Sequence, residues 1–358
     1  MSISDYNWES FNFPIKLTNI SCEFEYHNFP SDSIIEIYRD EEFNFIGKIY
    51  GKTNNTKIAE YSHPFHQNVA GEFIEGENIV GYEINNNSKF QLQGCHVKNA
   101  SFSPSGDTLL HSHFVIEIRM DFVIEINDSN EKETESLMEW FLTGRTTILF
   151  SRNTHYYDSE RIKIRNGIDS AITSDASYKR MAWDFFLIEL EKFSFIVQQV
   201  QNGIFPVWAN GFIIEYRSSF SQIPSKEIRI AISEIVSFIL GVEFIEIGYS
   251  EFNINNEVIR RLGNKPYGDN IISRCKRISM SPINYPTQYG RIDIESILNN
   301  LISAYLKLRD DFKFSTVLWK YWLARNSPVG INLPILSSAI EGLAESYLKF
   351  HNIIPKSN

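Results

Sequence analysis

Two pairs of histidines stand at spacings that would let both rings of a pair bind one metal ion. Imidazole nitrogens in such an arrangement are typical of zinc and related transition-metal sites. The simpler interpretation places these residues in turns and strands on a β surface. We therefore predict no metal site and no cofactor, and we keep four histidines as candidate ligands: His63, His66, His111 and His113.

A basic cluster is the second group that could bind a ligand. Its phosphate-binding side chains lie near three tyrosines, Tyr267, Tyr285 and Tyr289, whose rings could stack on exposed bases. The cluster is therefore the candidate site for RNA or a phosphate-bearing ligand. A solvated loop between domains is the simpler account, and we favour it because surface charge runs usually serve solubility. The residues are Arg260, Arg261, Lys265, Arg274, Lys276 and Arg277.

Other patterns that carry chemistry have little support. Glu215-Tyr-Arg217 comes nearest to the carboxylate-and-lysine motif of a metal nuclease, but an arginine stands where that motif needs lysine. Basic residues around His155, including Arg152 and Arg165, could line a groove, although cross-strand charge pairing explains them more simply. The sequence has no glycine-rich phosphate loop and no G-x-S-x-G elbow, so nucleotide hydrolysis and acyl transfer are not supported.

The composition indicates a soluble globular protein. Of 358 residues, 43% are hydrophobic and 22% charged, and the net charge of −10 argues against a surface devoted wholly to nucleic acid or anionic lipid. Three widely spaced cysteines predict no disulfide framework. The N-terminus resembles no signal peptide, and no apolar stretch is long enough to span a bilayer. We expect a cytoplasmic location and no membrane partner.

Residues 14–127 read as repeated short strands separated by Gly, Asn, Ser and Pro, which predicts an antiparallel sandwich or barrel. The segment 114–126 is the longest strand candidate and fits two strands or one bent strand. Residues 135–142 have apolar side chains on one helical side, followed by Gly144, and predict a short helix. For residues 184–200 the periodicity is ambiguous, and we favour strands.

Helical periodicity follows. Residues 225–240 predict a helix that ends at Gly241, and residues 292–308 predict a second. A third would run from Ser315, as its N-cap, to Arg325. The last helix begins near Pro334 and has an apolar stripe two columns wide. A stripe of this width must be covered, so we expect a homodimer or a partner protein bound through the C-terminal helices.

Two segments resemble one family. Glu234–Phe244 resembles the helix–glycine–strand joint that precedes the helical domain of ApeA-like bacterial antiphage proteins. Leu336–Ala344 resembles the helix that opens their HEPN domain. The resemblance implies α+β architecture, with an antiparallel β-rich sandwich or barrel-like domain before a C-terminal, partial HEPN-like helical bundle. The expected boundaries are residues 1–256 for the β-rich part (one domain, or subdomains of about 1–130 and 131–256), 257–290 for a linker and 291–358 for the helices.

The activity that the resemblance implies is metal-independent RNA cleavage during abortive infection, by an Arg-x(4–6)-His pair. None of the eight histidines follows an arginine at that spacing, so no catalytic residue is transferred to this chain. Either the chain is part of a longer protein that supplies the pair, or it is a non-catalytic relative. We expect a defence protein whose β-rich domain senses RNA or a phage-derived ligand. The alternative is a non-catalytic assembly subunit that docks a partner or a second copy.

Overall fold

The computed structural model describes residues 3–4, 14–22, 30, 32–54, 76–86, 88–104, 111–127, 133–144, 150–157, 162–169, 180–200, 209–268, 270–276, 281 and 294–353. The chain divides into two compact units. One unit, here called the β unit, comprises Asn7–Trp140 and Glu246–Asp269. The other, here called the mixed unit, comprises Met1–Tyr6, Phe141–Ile245 and Asn270–Asn358.

The described residues form sixteen strands and five helices. In chain order the strands are β1 Ile3–Ser4, β2 Ile15–Cys22, β3 Ile34–Arg39, β4 Phe45–Asn54, β5 Glu77–Glu83, β6 Lys89–Pro104, β7 His111–Met120, β8 Phe122–Ile126, β9 Ser136–Thr143, β10 Arg152–Tyr157, β11 Ile162–Arg165, β12 Arg180–Glu189, β13 Ser194–Val200, β14 Asn210–Arg217, β15 Ile245–Phe252 and β16 Val258–Asn264. The helices are α1 Lys226–Leu240, α2 Ile271–Lys276, α3 Ile294–Leu308, α4 Phe314–Asn326 and α5 Asn332–Phe350.

The β unit is an antiparallel, barrel-like sheet. Its strands pair in the order β5-β2-β3-β4-β7, and the long β6 joins the two ends. The first half of β6 pairs with β5 and its second half with β7. β8 pairs with the first half of β6 and with β16, which pairs with β15. The predicted β-rich N-terminal architecture is therefore confirmed in its antiparallel, barrel-like form.

The period-two pattern of these strands separates a dry interior from a charged exterior. Inward-facing side chains such as Ile35, Phe45 and Ile116 are almost fully buried in one apolar cluster. Outward-facing charges alternate in sign across three strand pairs, because the register aligns Lys16 with Glu36, Glu36 with Lys48, and Lys48 with Glu117. A one-residue slip would bury these charges, so the pattern fixes the register.

The mixed unit contains a second antiparallel sheet, in the order β1-β11-β10-β12-β13-β14. Side chains from strands four places apart in this order form buried ion pairs, so the sheet must curl enough to bring them together. Arg165 in β11 binds Asp169 and Glu215, and Arg217 in β14 binds the same two carboxylates. β13 and β14 are buried on both faces. α3 packs on β12, α1 contacts α3 and α4, and α4 and α5 form an antiparallel hairpin.

Several predicted elements are confirmed. Residues 114–126 contribute to two strands, β7 and β8, on either side of Asp121, and residues 184–200 contribute to strands β12 and β13, which residues 190–193 connect. α1 ends at Gly241, whose left-handed backbone, with φ of 68°, lets its N–H bind the carbonyl of Phe238. Among the described helices, none has the length and apolar character needed to cross a bilayer.

Three local predictions are wrong. The helix expected at residues 135–142 is the strand β9, in which all eight residues are buried, so no polar helical face remains. Within the segment 257–290, expected to be loop, Val258–Asn264 is a strand and Ile271–Lys276 a helix. Ser315 lies inside α4 instead of at its N-cap position, where Lys313 adopts a left-handed φ of 52°.

Gly248 in β15 permits the close approach of β16. Its φ is 145°, and a Cβ atom added there would lie 2.1 Å from the carbonyl oxygen of Leu262. We expect Gly248→Ala to lower the free energy of unfolding by about 1–3 kcal/mol, since both backbone strain and a backbone clash oppose the methyl group. The measurement is thermal and urea unfolding followed by circular dichroism.

The matched control is Gly342→Ala in α5, where an added Cβ would meet nothing within 4 Å. Alanine has the higher helix propensity, so this variant should gain about 0.5–1 kcal/mol. Equal changes in the two variants would contradict the assignment of Gly248 as a site of close backbone approach.

Candidate functional site

Glu234 in α1 is the point where the helices of the mixed unit are joined. Its Oε2 accepts hydrogen bonds from the Tyr305 hydroxyl at 2.7 Å and from Arg309 Nε at 2.9 Å. Its Oε1 accepts from Arg309 Nη2 at 3.1 Å and from the Ser315 hydroxyl at 2.7 Å. One carboxylate thus ties α1 to α3, to the turn after α3 and to the first turn of α4.

The electrostatics of this cluster keep Glu234 ionised and its partners protonated. Burial raises the pKa of Glu234, but hydrogen bonds from Arg309, Ser315 and Tyr305 outweigh burial and hold that pKa below its ordinary value. Burial, followed by the adjacent Glu234 carboxylate, raises the pKa of Tyr305. None of these shifts moves a group toward neutral pH, so the arrangement suits a structural ion pair better than general acid–base chemistry.

Two further carboxylates anchor helices in the same way. Glu295, in the first turn of α3, accepts two hydrogen bonds from Arg152, at 2.8 and 2.9 Å, and one from the backbone N–H of Leu187 at 3.1 Å. Glu243, just before β15, accepts from Arg274 of α2 at 2.6 and 3.1 Å and from Asn326 of α4 at 3.0 Å. Charge-assisted, bidentate arginine contacts of this kind fix geometry as well as contributing energy.

A cavity of about 390 Å³ lies beside Glu234, between α1 and α4. We call it the tryptophan groove, and its lining residues are Glu234, Ser315, Thr316, Leu318, Trp319 and Trp322. Trp319 is 59% exposed. This groove was not predicted from the sequence. The available signal was Trp319-x-x-Trp322, whose spacing puts both rings on neighbouring positions of one helical face.

The structure distributes the predicted basic cluster over both units. Arg260, Arg261 and Lys265 belong to the β unit, whereas Arg274 and Lys276 belong to the mixed unit. Arg277 lies outside the described residues.

Three of the five described basic side chains are engaged in ion pairs. Arg261 binds Glu125 at 3.0 Å, Lys265 lies 3.8 Å from Asp121, and Arg274 binds Glu243. Arg260 is half-buried in β16, and Lys276 is exposed at the end of α2. RNA binding by the cluster stays a prediction, and Arg261 and Arg274, whose ion pairs are close and partly buried, have a structural role.

The candidate metal ligands are only partly described. His63 and His66 lie outside the described residues, as does the side chain of His111, while His113 is exposed on β7. Within the described part of the chain, no three His, Cys, Asp or Glu side chains converge as a metal site. Cys95 and Cys275 are buried thiols, and burial raises the pKa of the Cys275 thiol to about 12.

The nuclease-like residue Glu215 is a buried member of the ion-pair cluster formed with Arg165, Arg217 and Asp169. Burial raises the pKa of Glu215, but the charges of Arg165 and Arg217 reverse the shift and hold that pKa below its usual value. Its carboxylate therefore already forms ion pairs with two guanidinium groups within the fold.

We expect Glu234→Gln to destabilise the mixed unit by about 2 kcal/mol, since the amide turns N–H groups toward donors that need an acceptor. The free energy of unfolding should be measured from pH 3 to 7. Because folding lowers the pKa of Glu234, its stabilisation is present above the ordinary pKa of 4.5 and is lost as the pH falls below that value. The variant should therefore show a shallower loss on acidification than the wild type.

Glu345→Gln is the control, because the ion pair that Glu345 makes with Lys349, at 2.6 Å within α5, is exposed. This variant should unfold like the wild type, since exposed pairs contribute little. A Glu234→Gln protein with wild-type stability and pH dependence would show that the cluster around Glu234 does not hold the helices together.

No protein-family model matches the sequence, and no curated protein sequence matches it significantly. The resemblance to ApeA-like proteins therefore stays a prediction, made on the segments Glu234–Phe244 and Leu336–Ala344.

Proposed function

We propose that the protein is a bacterial antiphage defence protein of the ApeA/HEPN type that acts through binding. Its β-rich part would sense RNA or a phage-derived ligand, and its helices, of RNase lineage but lacking the catalytic Arg-x(4–6)-His pair, would dock a partner. The two resembling segments support this proposal. Glu234 and Glu243 in the first are anchors of the helices, and the second lies in α5.

The observation that carries the docking role is the exposed apolar face of α5. One side of α5 is buried, at Ala339 and Ser346. On another side, Leu333 and Ile340 are each 69% exposed and Tyr347 is 50% exposed. These three residues are seven apart, and an interval of two helical turns places them in one row.

The energetic argument favours an occupant for this row. Burying a large apolar side chain contributes about 1.5–3 kcal/mol, so two aliphatic residues and a tyrosine would supply a substantial part of a micromolar interaction. Helices commonly bind through anchors at intervals of one and two turns. The occupant in this proposal is a helix of a partner protein. In the second candidate function, a non-catalytic assembly subunit, the occupant is α5 of a second copy.

Ile340→Asp tests whether the exposed row of α5 binds an occupant. If a second copy is bound, light scattering should give about twice the chain mass of 41.6 kDa for the wild type and the single mass for the variant, because a carboxylate cannot be buried unpaired in an apolar interface. The control is Glu341→Ala, which changes the adjacent, exposed residue and should leave the mass unchanged.

The defence role is tested by plating phage on bacteria that express the wild type, Ile340→Asp or Glu341→Ala. We expect fewer plaques with the wild type and Glu341→Ala, and a return toward the vector control with Ile340→Asp, provided that all three proteins accumulate equally. Wild-type protein that is monomeric, recovers no partner in a pull-down and leaves plating unchanged for a broad phage panel would contradict the proposal.

A further inference from the structure

The tryptophan groove has the size of a small-molecule site. Its volume of about 390 Å³ falls in the lower part of the range found for ligand pockets, roughly 300–1,000 Å³. A site of this volume suits a compact molecule. Its described lining residues lie in α1 and α4, so the groove is a different surface from the exposed row of α5.

The lining of the groove is flat and largely apolar. Trp319 and Trp322 are three residues apart in α4, so both indoles face the same region, and Leu318 contributes an aliphatic wall. Indole rings bind flat rings by stacking, at separations of a few ångströms and with little dependence on substituents. This surface fits a planar aromatic ring.

The charges of the described lining favour an uncharged ligand over an ionic one. Among the described lining residues Glu234 is the one with a charge, and its carboxylate is neutralised by the bidentate contact with Arg309. Within that described lining, a cation would meet no uncompensated negative charge and an anion would meet no cationic side chain. The complementary ligand is therefore uncharged.

Apart from the paired Glu234, the described lining of the groove offers few polar groups. Ser315 and Thr316 supply two hydroxyl groups from the first turn of α4, and the Ser315 hydroxyl already donates to Glu234. A saccharide, with many hydroxyl groups, would leave most of them unpaired, which is costly in a partly desolvated site. A heteroaromatic ring needs only one or two such partners.

We propose that the tryptophan groove binds a free, uncharged heteroaromatic compound, a nucleobase or a molecule of that shape. The ring stacks on Trp319, and Trp322 and Leu318 close the side of the site. Hydroxyl groups of Ser315 and Thr316 face ring nitrogens or exocyclic groups at its edge. This inference is independent of the docking of α5 and of the defence role.

The test uses adenine as the probe and the purified full chain. Tryptophan fluorescence and equilibrium dialysis should both show saturable binding, and Trp319→Ala should weaken it about tenfold or more, as expected for the loss of one stacking partner. The matched control is Trp183→Ala, because Trp183 is similarly exposed, at 57%, but lies on β12 outside the groove. This control should bind adenine like the wild type.

Two results would overturn the inference. One is fluorescence quenching that rises linearly with adenine, with no uptake in dialysis, since that indicates collisions with exposed indoles. The other is saturable binding that Trp319→Ala leaves unchanged, which would place adenine elsewhere on the chain. Unfolding curves of both variants should match the wild type, because each replaces a largely exposed side chain.

Discussion

The helices of the mixed unit are held in place by three carboxylates, and both oxygens of each accept hydrogen bonds. Glu234, Glu243 and Glu295 each bind an arginine through two hydrogen bonds, and each arginine comes from a different element. Apolar packing alone holds helices with little directional preference, whereas a bidentate contact has one geometry. Each pair is partly buried, so removing either partner leaves a desolvated charge. The positions of α2, α3 and α4 are consequently specified by three acidic residues.

The strands and helices were predictable where local periodicity and tertiary burial agree. The alternation in β3 and the helical face of α1 are such cases, because each element buries one side only. β9 shows the opposite case: its eight residues are all buried, including the polar Ser136, Glu139 and Thr143, so polarity marks no exposed face from which a period could be read. Arg260 and Arg261 in β16 look like loop residues in sequence, but β8 and β15 provide their strand with backbone partners on both sides.

The candidate site was much less predictable than the fold. Glu234 is separated from Arg309 by 75 residues and from Ser315 by 81, and no local pattern reports that these side chains meet. Ser315 in particular is a residue type preferred at N-caps and is predicted there from the sequence, yet its hydroxyl donates a hydrogen bond to Glu234. The two tryptophans of α4 follow helical spacing, but that spacing also fits a buried core. Only the placement of α1 against α4 distinguishes the two.

Because the two units alternate along the chain, the β unit can complete its sheet only late in synthesis. β8 of the β unit pairs with β16, and Arg261 contacts Glu125 across 136 residues of sequence. The intervening segment includes most of the sheet of the mixed unit and α1. On the ribosome, β8 is made long before β16, because the intervening segment is translated first. The edge of β8 that pairs with β16 therefore stays unpaired while more than a third of the chain is translated. At about 5–20 residues per second, this interval lasts on the order of ten seconds. A chaperone that shields a strand edge would have its main opportunity then.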